Sequence, residues 1–225
     1  CKQGRQRQVM MPPTDMLRIL VAIAAGLALG SFLPADALAR LRGVDIRGRG
    51  DGNPGTINAV RVLGWGPGLL TAVYDLSVGV VAVWIAGLLA VPAGFGYLAG
   101  LATIVGHRFP VFSALRGGGQ GMAASAGLLV YGVGEAAAHG WLTGAEIGLL
   151  LAVLLVVFLL TRSDSAAGIV MLPLLVGMML LSRAGWPFIA FMCAVAGYIW
   201  VVQLTPVRCW VASRAVKPAH GRTRD

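Results

Sequence analysis

Two polar, glycine-dense stretches interrupt an otherwise oily chain. The first, GVDIRGRGDGNPGTINAVR over residues 43–61, gathers Asp45, Arg47, Arg49, Asp51 and Arg61 with Asn53 and Asn58. The second, GHRFPVFSALRGGGQG over residues 106–121, brings His107 and Arg116 up to Gly117, Gly118, Gly119, Gln120 and Gly121. Gly50, Gly52 and Gly55 let backbone amides approach a ligand with no side chain between, and consecutive amides of this kind form an anion-binding nest. Asn53 and Asn58 offer amide donors and Thr56 a hydroxyl. Arg61 can meet a phosphate with a planar fork of donors, and Arg47 and Arg49 flank the same place. A tight glycine turn, anchored in the headgroup region by its charges, uses the same residues.

The glycines after Arg116 enter an apolar helix, where free amides and the helix dipole favour an anion. Without a GKS or GKT this is not a nucleotide loop. His107 suits a general base, an anion binder when protonated, or a satisfied histidine at a helix end. Thr161, Arg162, Ser163 and Ser165 form a smaller cluster. Ser165 can donate to the same site, while a cap by Ser163 or Asp164 is the plainer alternative. Asp75 falls inside an apolar segment, where a lone carboxylate is costly. It must face the protein interior or an aqueous cavity, with a loop arginine as the expected partner. Glu135 and Glu146 sit at segment ends and read as interfacial. No nucleophile motif and no metal-ligand cluster is present, so neither a metal nor a cofactor is expected. The two loops match a cytoplasm-facing pocket for phosphorylated substrates; a direct transfer between two bound substrates would need neither, only positioning, phosphate clamping and at most one base.

The elements that must position these residues are hydrophobic. Of 225 residues 57% are hydrophobic and 12% charged, with mean hydropathy +0.80; soluble domains carry about 25% charged residues. The net charge of +9 is spread over connecting segments and tails with no aromatic-interleaved basic face, which excludes nucleic acid and fits loops beside anionic lipid. Cys1, Cys193 and Cys209 form no metal or disulfide pattern. Seven apolar segments, near 17–35, 66–90, 93–106, 121–137, 145–161, 167–182 and 187–205, predict an all-α polytopic membrane protein with seven transmembrane helices. A tail (1–16) precedes a single membrane domain (17–205) and a basic cytoplasmic tail (206–225), with Met10 or Met11 as the expected start. Placing the N-terminus outside leaves Lys2, Arg5, Arg7, Arg18 and Arg183 there and puts the other 13 of the 18 Lys and Arg, with both polar stretches, on the cytoplasmic side with the C-terminus. The first segment, although followed by PADALA, reads as a spanning helix because six more follow.

The quoted residues resemble the bacterial acyl-phosphate:glycerol-3-phosphate acyltransferase family, the PlsY type, from about Gly30 to Ala184. The resemblance rests on GSFLPADALARLRGVDIRGRGDGNPGTINAVRVLG, YDLSVG, GHRFPVFSALRGGGQGMAASAG and LTRSDSAAG. It implies a seven-helix inner-membrane enzyme that moves a fatty acyl group from acyl phosphate to the 1-hydroxyl of sn-glycerol 3-phosphate. The implied products are lysophosphatidic acid and phosphate. By the same resemblance Gly117 to Gly121 cradle acyl phosphate, Asn53, Asn58 and Arg61 hold glycerol phosphate and order the first loop, and His107 lies near the reaction centre. The chain departs from the pattern at several positions. Asp51 stands where a serine is usual, Gln120 where a second lysine is, Val78 where an intramembrane lysine is, and Gly168 where a serine is. The second loop has one extra glycine, and the histidine-asparagine signature after the last helix has no counterpart near Arg208 to Arg214. These departures leave open an acyltransferase with relocated arginines, an enzyme with another phosphorylated substrate, and an inactive relative. A small-anion binding or transport protein is the alternative of another class, disfavoured by the lack of an evident inverted repeat.

Overall fold

A computed structural model of the chain describes residues 11–113, 117–162 and 164–215, with side chains over 11–113, 117–162 and 166–204. The α-helices are α1 (Pro13–Ser31), α2 (Pro34–Leu41), α3 (Thr56–Leu63), α4 (Trp65–Leu88), α5 (Tyr97–Arg108), α6 (Met122–Ala138), α7 (Gly144–Thr161), α8 (Asp164–Leu181) and α9 (Trp186–Ala215). The chain divides into two compact units, Cys1–Leu128 and Leu129–Asp225.

Each of the seven apolar segments contains a helix, but the expectation of seven crossings is corrected. Among the described residues four helices are long and apolar enough to cross a membrane: α1, α4, α7 and the Trp186–Leu204 part of α9. Helix α5 has 12 residues, about 18 Å of rise, against a hydrocarbon core of about 30 Å. Helix α6 has 17 residues, and the apolar part of α8, Ala166–Leu181, is likewise short. The physical reason is clearest before α5. The apolar letters of VPAGFG do not continue a helix, because Pro92 cannot donate and Ala90 and Gly94 adopt φ of 50° and 87°. On which side of a membrane each terminus lies is not addressed by these helix lengths.

In the first unit α1, α4 and α5 pack together. The contact between α1 and α5 is close because glycines face backbone. A Cβ at Gly30 would lie 2.6 Å from the Thr103 Cα, and one at Gly106 would lie 3.0 Å from the Ser31 amide nitrogen. Small-residue faces of this kind let helices approach in lipid. Buried Ala22, Ala82, Ala86 and Ala99 continue the seam. The Tyr74 hydroxyl of α4 donates to the Leu29 carbonyl of α1 at 2.7 Å.

The residues between α1 and α4 form a small cap with its own core of Ala35, Ala39, Ile46, Ala59 and Leu63. Pro34 opens α2 at a position that needs no amide donor. The Arg42 guanidinium donates to the Leu63 carbonyl at 2.7 Å, satisfying the end of α3. The chain then turns through Gly64 (φ 91°) into α4. Since α4 departs from this end of the unit and α5 returns to it, both glycine-rich stretches lie at one end.

In the second unit α7, α8 and α9 pack in sequence. Thr143 and Glu146 close a capping box at the start of α7. Pro173 inside α8 leaves the Ile169 carbonyl without its helical donor, and the Trp200 indole of α9 supplies one at 3.3 Å. Outward residues such as Leu151, Leu155 and Leu160 of α7 are exposed, as a lipid-facing surface requires.

Candidate active site

The first loop is built around Asn58. Its side chain is 1% exposed, and both ends are engaged by the loop itself. Its Oδ1 accepts from the Asp51 amide at 3.2 Å, and its Nδ2 donates to the carbonyls of Ile46 (3.2 Å) and Arg49 (3.0 Å). Gly50, at φ 63°, passes so close that an added Cβ would lie 3.0 Å from the Asn58 Cγ. Asn58, a candidate for catalysis, for holding glycerol phosphate and for ordering the first loop, is thus engaged in shaping that loop from inside.

Asp51 and Arg61 form an ion pair at 3.1 Å on the loop surface. Arg49 and Arg47 lie nearer to Asp51 along the chain. The helical start of α3 at Thr56 instead brings Arg61 back over the turn. The other Asp51 oxygen accepts the Asn53 amide at 3.0 Å, and the Asn53 Oδ1 accepts the Gln120 amide of the second loop at 3.2 Å. Arg49 is exposed, with no side-chain partner among the described residues.

Arg47 makes a second bridge. Its Nε donates to the Gly117 carbonyl at 3.2 Å, and its Nη1 is bound to Asp36. Asp36, 7% exposed, also takes Arg40 at 2.9 Å and the Ser113 hydroxyl at 3.4 Å. One carboxylate thus faces two guanidinium groups, leaving the junction of the loops positive. Sequence reasoning missed Asp36 and Ser113. The signal available was the i,i+4 spacing of Asp36 and Arg40 in DALAR, which puts opposite charges on one helical face.

The second loop rests on the last turn of α5. The Gly118 amide donates to the Arg108 carbonyl at 3.2 Å. A Cβ at Gly119 would lie 2.7 Å from the His107 Cδ2. Among the described residues the amides of Gly117 and Gly119 take no partner, and beyond them Gly121 (φ 68°) leads into the first turn of α6. A helix start of this form, with donors unspent, suits an anion. Arg116 and Ser163 lie outside the described residues. Ser165 lies in the first turn of α8, in the other unit, and its side chain is not among those described.

Asp75 of α4 is 1% exposed. Its Oδ2 accepts from the Thr56 hydroxyl at 3.4 Å, while Oδ1 is buried with no hydrogen-bond partner among the described residues. Thr56, expected to face a ligand, turns toward Asp75. No loop arginine reaches that carboxylate among the described residues.

The two polar loops thus meet at one end of one helical unit, with paired arginines and glycine amides that take no partner among the described residues. The family model described as glycerol-3-phosphate acyltransferase matches residues 20–208. The chain belongs to that family. It is 43% identical over 113 residues to glycerol-3-phosphate acyltransferase 1 of Deinococcus radiodurans, covering 50% of this chain and 57% of that protein. It is 42% identical over 118 residues to the Gloeobacter violaceus glycerol-3-phosphate acyltransferase, again 50% and 57%. The chain thus spans a little over half the length of these curated relatives. Two crystal structures of PlsY (YgiH), an integral membrane glycerol 3-phosphate acyltransferase, share the fold. The glycerol 3-phosphate form has TM-score 0.66 and 24% identity, covering 87% of this chain and 93% of that one. The lysophosphatidic acid form has TM-score 0.65 and 23% identity over the same shares.

His107 has a distinct electrostatic character within this family site. Burial lowers its pKa from 6.5 to about 4, and its Nδ1 has no hydrogen-bond partner among the described residues. At neutral pH the ring is uncharged, and it lies directly against Gly119. Between pH 6.5 and 4 the unfolded chain binds a proton at this histidine that the folded chain refuses. Stability is therefore full above pH 6.5 and falls as pH drops toward 4, by up to about 3 kcal/mol from this group. Thermal melts of the wild type and His107→Asn across that window are expected to show a shallower pH slope in the variant.

Proposed function

We propose that the chain transfers a fatty acyl group from acyl phosphate to the 1-hydroxyl of sn-glycerol 3-phosphate, releasing lysophosphatidic acid and phosphate. The observation that carries this reading is the direct bonding of the two loops, Arg47 to Gly117 and Asn53 to Gln120. A donor held by one loop and an acceptor held by the other then share one site. The unspent amides of Gly117 and Gly119 and the start of α6 hold the donor phosphate, and Arg61 clamps the acceptor phosphate. The acceptor oxygen bonds to the acyl carbon as the bond from that carbon to the phosphate oxygen breaks. The departing phosphate carries away the hydroxyl proton. Bringing two reactants together in this way supplies much of the rate enhancement, and donors aimed at the developing charge supply more.

The reading places the enzyme in the bacterial inner membrane with both loops toward the cytoplasm. Arg40, Arg42, Arg47, Arg49, Arg61 and Arg108 all belong to the loop end of the first unit, whereas the 89–96 connector has no Lys or Arg. That asymmetry supports the orientation.

The test is phosphate release from palmitoyl phosphate by the purified chain in proteoliposomes. Release is expected only when glycerol 3-phosphate is present; its absence, beside an active relative as positive control, contradicts the proposal. Arg61→Ala is expected to raise the KM for glycerol 3-phosphate by about 10- to 100-fold, the worth of one charged hydrogen-bonding partner. An unchanged circular dichroism spectrum would show that the fold is kept. The exposed Asp51–Arg61 pair favours a second reading, a member that binds anions without turnover, for which glycerol 3-phosphate binding with no release is the signature.

A further inference from the structure

The Asp51 carboxylate occupies the kind of place a substrate anion needs. One oxygen meets the Arg61 guanidinium at 3.1 Å and the other meets the Asn53 amide at 3.0 Å. A guanidinium and a backbone amide are the donors that a phosphate oxygen takes in such a loop. The carboxylate cannot swing aside freely. Its own backbone amide is held by Asn58 at 3.2 Å, and the Asn53 that it fixes is held in turn to the Gln120 amide at 3.2 Å. Arg61, by contrast, is mobile in principle: its side chain is 60% exposed, and that of Asp51 is 43% exposed.

We propose that Asp51 is a resident anion of the acceptor site. It holds Arg61 until a phosphate monoester takes the guanidinium from it, so binding is an exchange of one anion for another. This rests on the reading that Arg61 clamps the acceptor phosphate. The exchange is feasible because exposed ion pairs are weak. Once displaced, Asp51 stays anchored by Asn53 and Asn58 beside the incoming phosphate, and like charges held close repel. Asp51 therefore lowers affinity twice, through the pair that must open and through the charge that remains. The result is an acceptor site tuned to loose binding and ready release.

Asp51→Asn removes the charge and keeps an oxygen to accept the Asn53 amide, so the turn is preserved. Isothermal titration of glycerol 3-phosphate into the detergent-solubilised full chain is expected to give about fivefold tighter binding for Asp51→Asn than for wild type, the size of one exposed pair. Asp51→Ser, which also retains a short acceptor, is expected to change in the same direction. Asp45→Asn alters the net charge equally at a carboxylate that accepts only the Arg47 amide, and is expected to leave affinity within about twofold. Wild-type binding with no tightening in either Asp51 variant overturns the proposal while leaving the Arg61 clamp standing. Equal tightening in Asp45→Asn overturns it in favour of general charge. No binding by the wild type or any variant overturns the clamp itself and the resident anion with it.

Discussion

Gly118→Ala is expected to cut the proposed acyl transfer by about 100-fold or more while leaving the helices intact. An added Cβ would lie 2.6 Å from the Arg108 carbonyl carbon and closer still to the carbonyl oxygens of His107 and Arg108. These are main-chain atoms in the last turn of α5, and they cannot rotate away as a side-chain end can. The second loop must lift, which breaks the Gly118 to Arg108 hydrogen bond and moves the carbonyl that Arg47 holds. Misplacing reacting groups by about 1 Å costs roughly 10^2 in rate. Gly66→Ala is the control: its Cβ meets nothing within 4 Å, and alanine is the better helix former. Steady-state phosphate release should separate the two variants. Activity in Gly118→Ala within about threefold of wild type would mean that the loop does not need its seat on α5.

Asp36→Asn is expected to disconnect the two loops from their anchor. The substitution leaves Arg47, only 23% exposed at its side chain, and Arg40 without a negative partner. Removing one member of a buried pair costs about 3–5 kcal/mol, because the other charge stays uncompensated. Expressed through loop placement, that corresponds to a fall in kcat/KM of about 10^2 to 10^4. The positioning role predicts that both KM values rise together, since Arg47 reaches the second loop and Asp36 lies under the first. A fall in melting temperature with kinetics unchanged would reduce Asp36 to a purely structural residue.

The glycine and arginine content of residues 43–61 and 106–121 singled out the two stretches that the structure joins through Arg47 to Gly117 and Asn53 to Gln120. Individual roles were less legible. Nothing in the string distinguishes an asparagine that meets a ligand from one that meets its own loop, and Asn58 proved to be the second kind. The partner of Asp51 depended on α3 beginning at Thr56 and returning Arg61 over the turn, a three-dimensional fact. The i,i+4 spacing of Asp36 and Arg40 marked only a helical face; the role of Asp36 at the loops was hidden because Arg47 is 11 residues away, outside any local helical spacing. The helix count erred for a different reason. Hydropathy reports apolar surface, and the turn around Pro92 and Gly94 is apolar without being helical. A polar end could be placed from sequence, but the length of each apolar helix could not.

Both loops acting as one phosphate site is most directly tested by hydrogen–deuterium exchange on the reconstituted chain, with and without glycerol 3-phosphate. The account predicts that the ligand slows exchange in residues 50–58 and 117–122 together, and that Arg47→Ala confines the protection to the first segment. Protection of one segment alone in the wild type, or of neither, would contradict it.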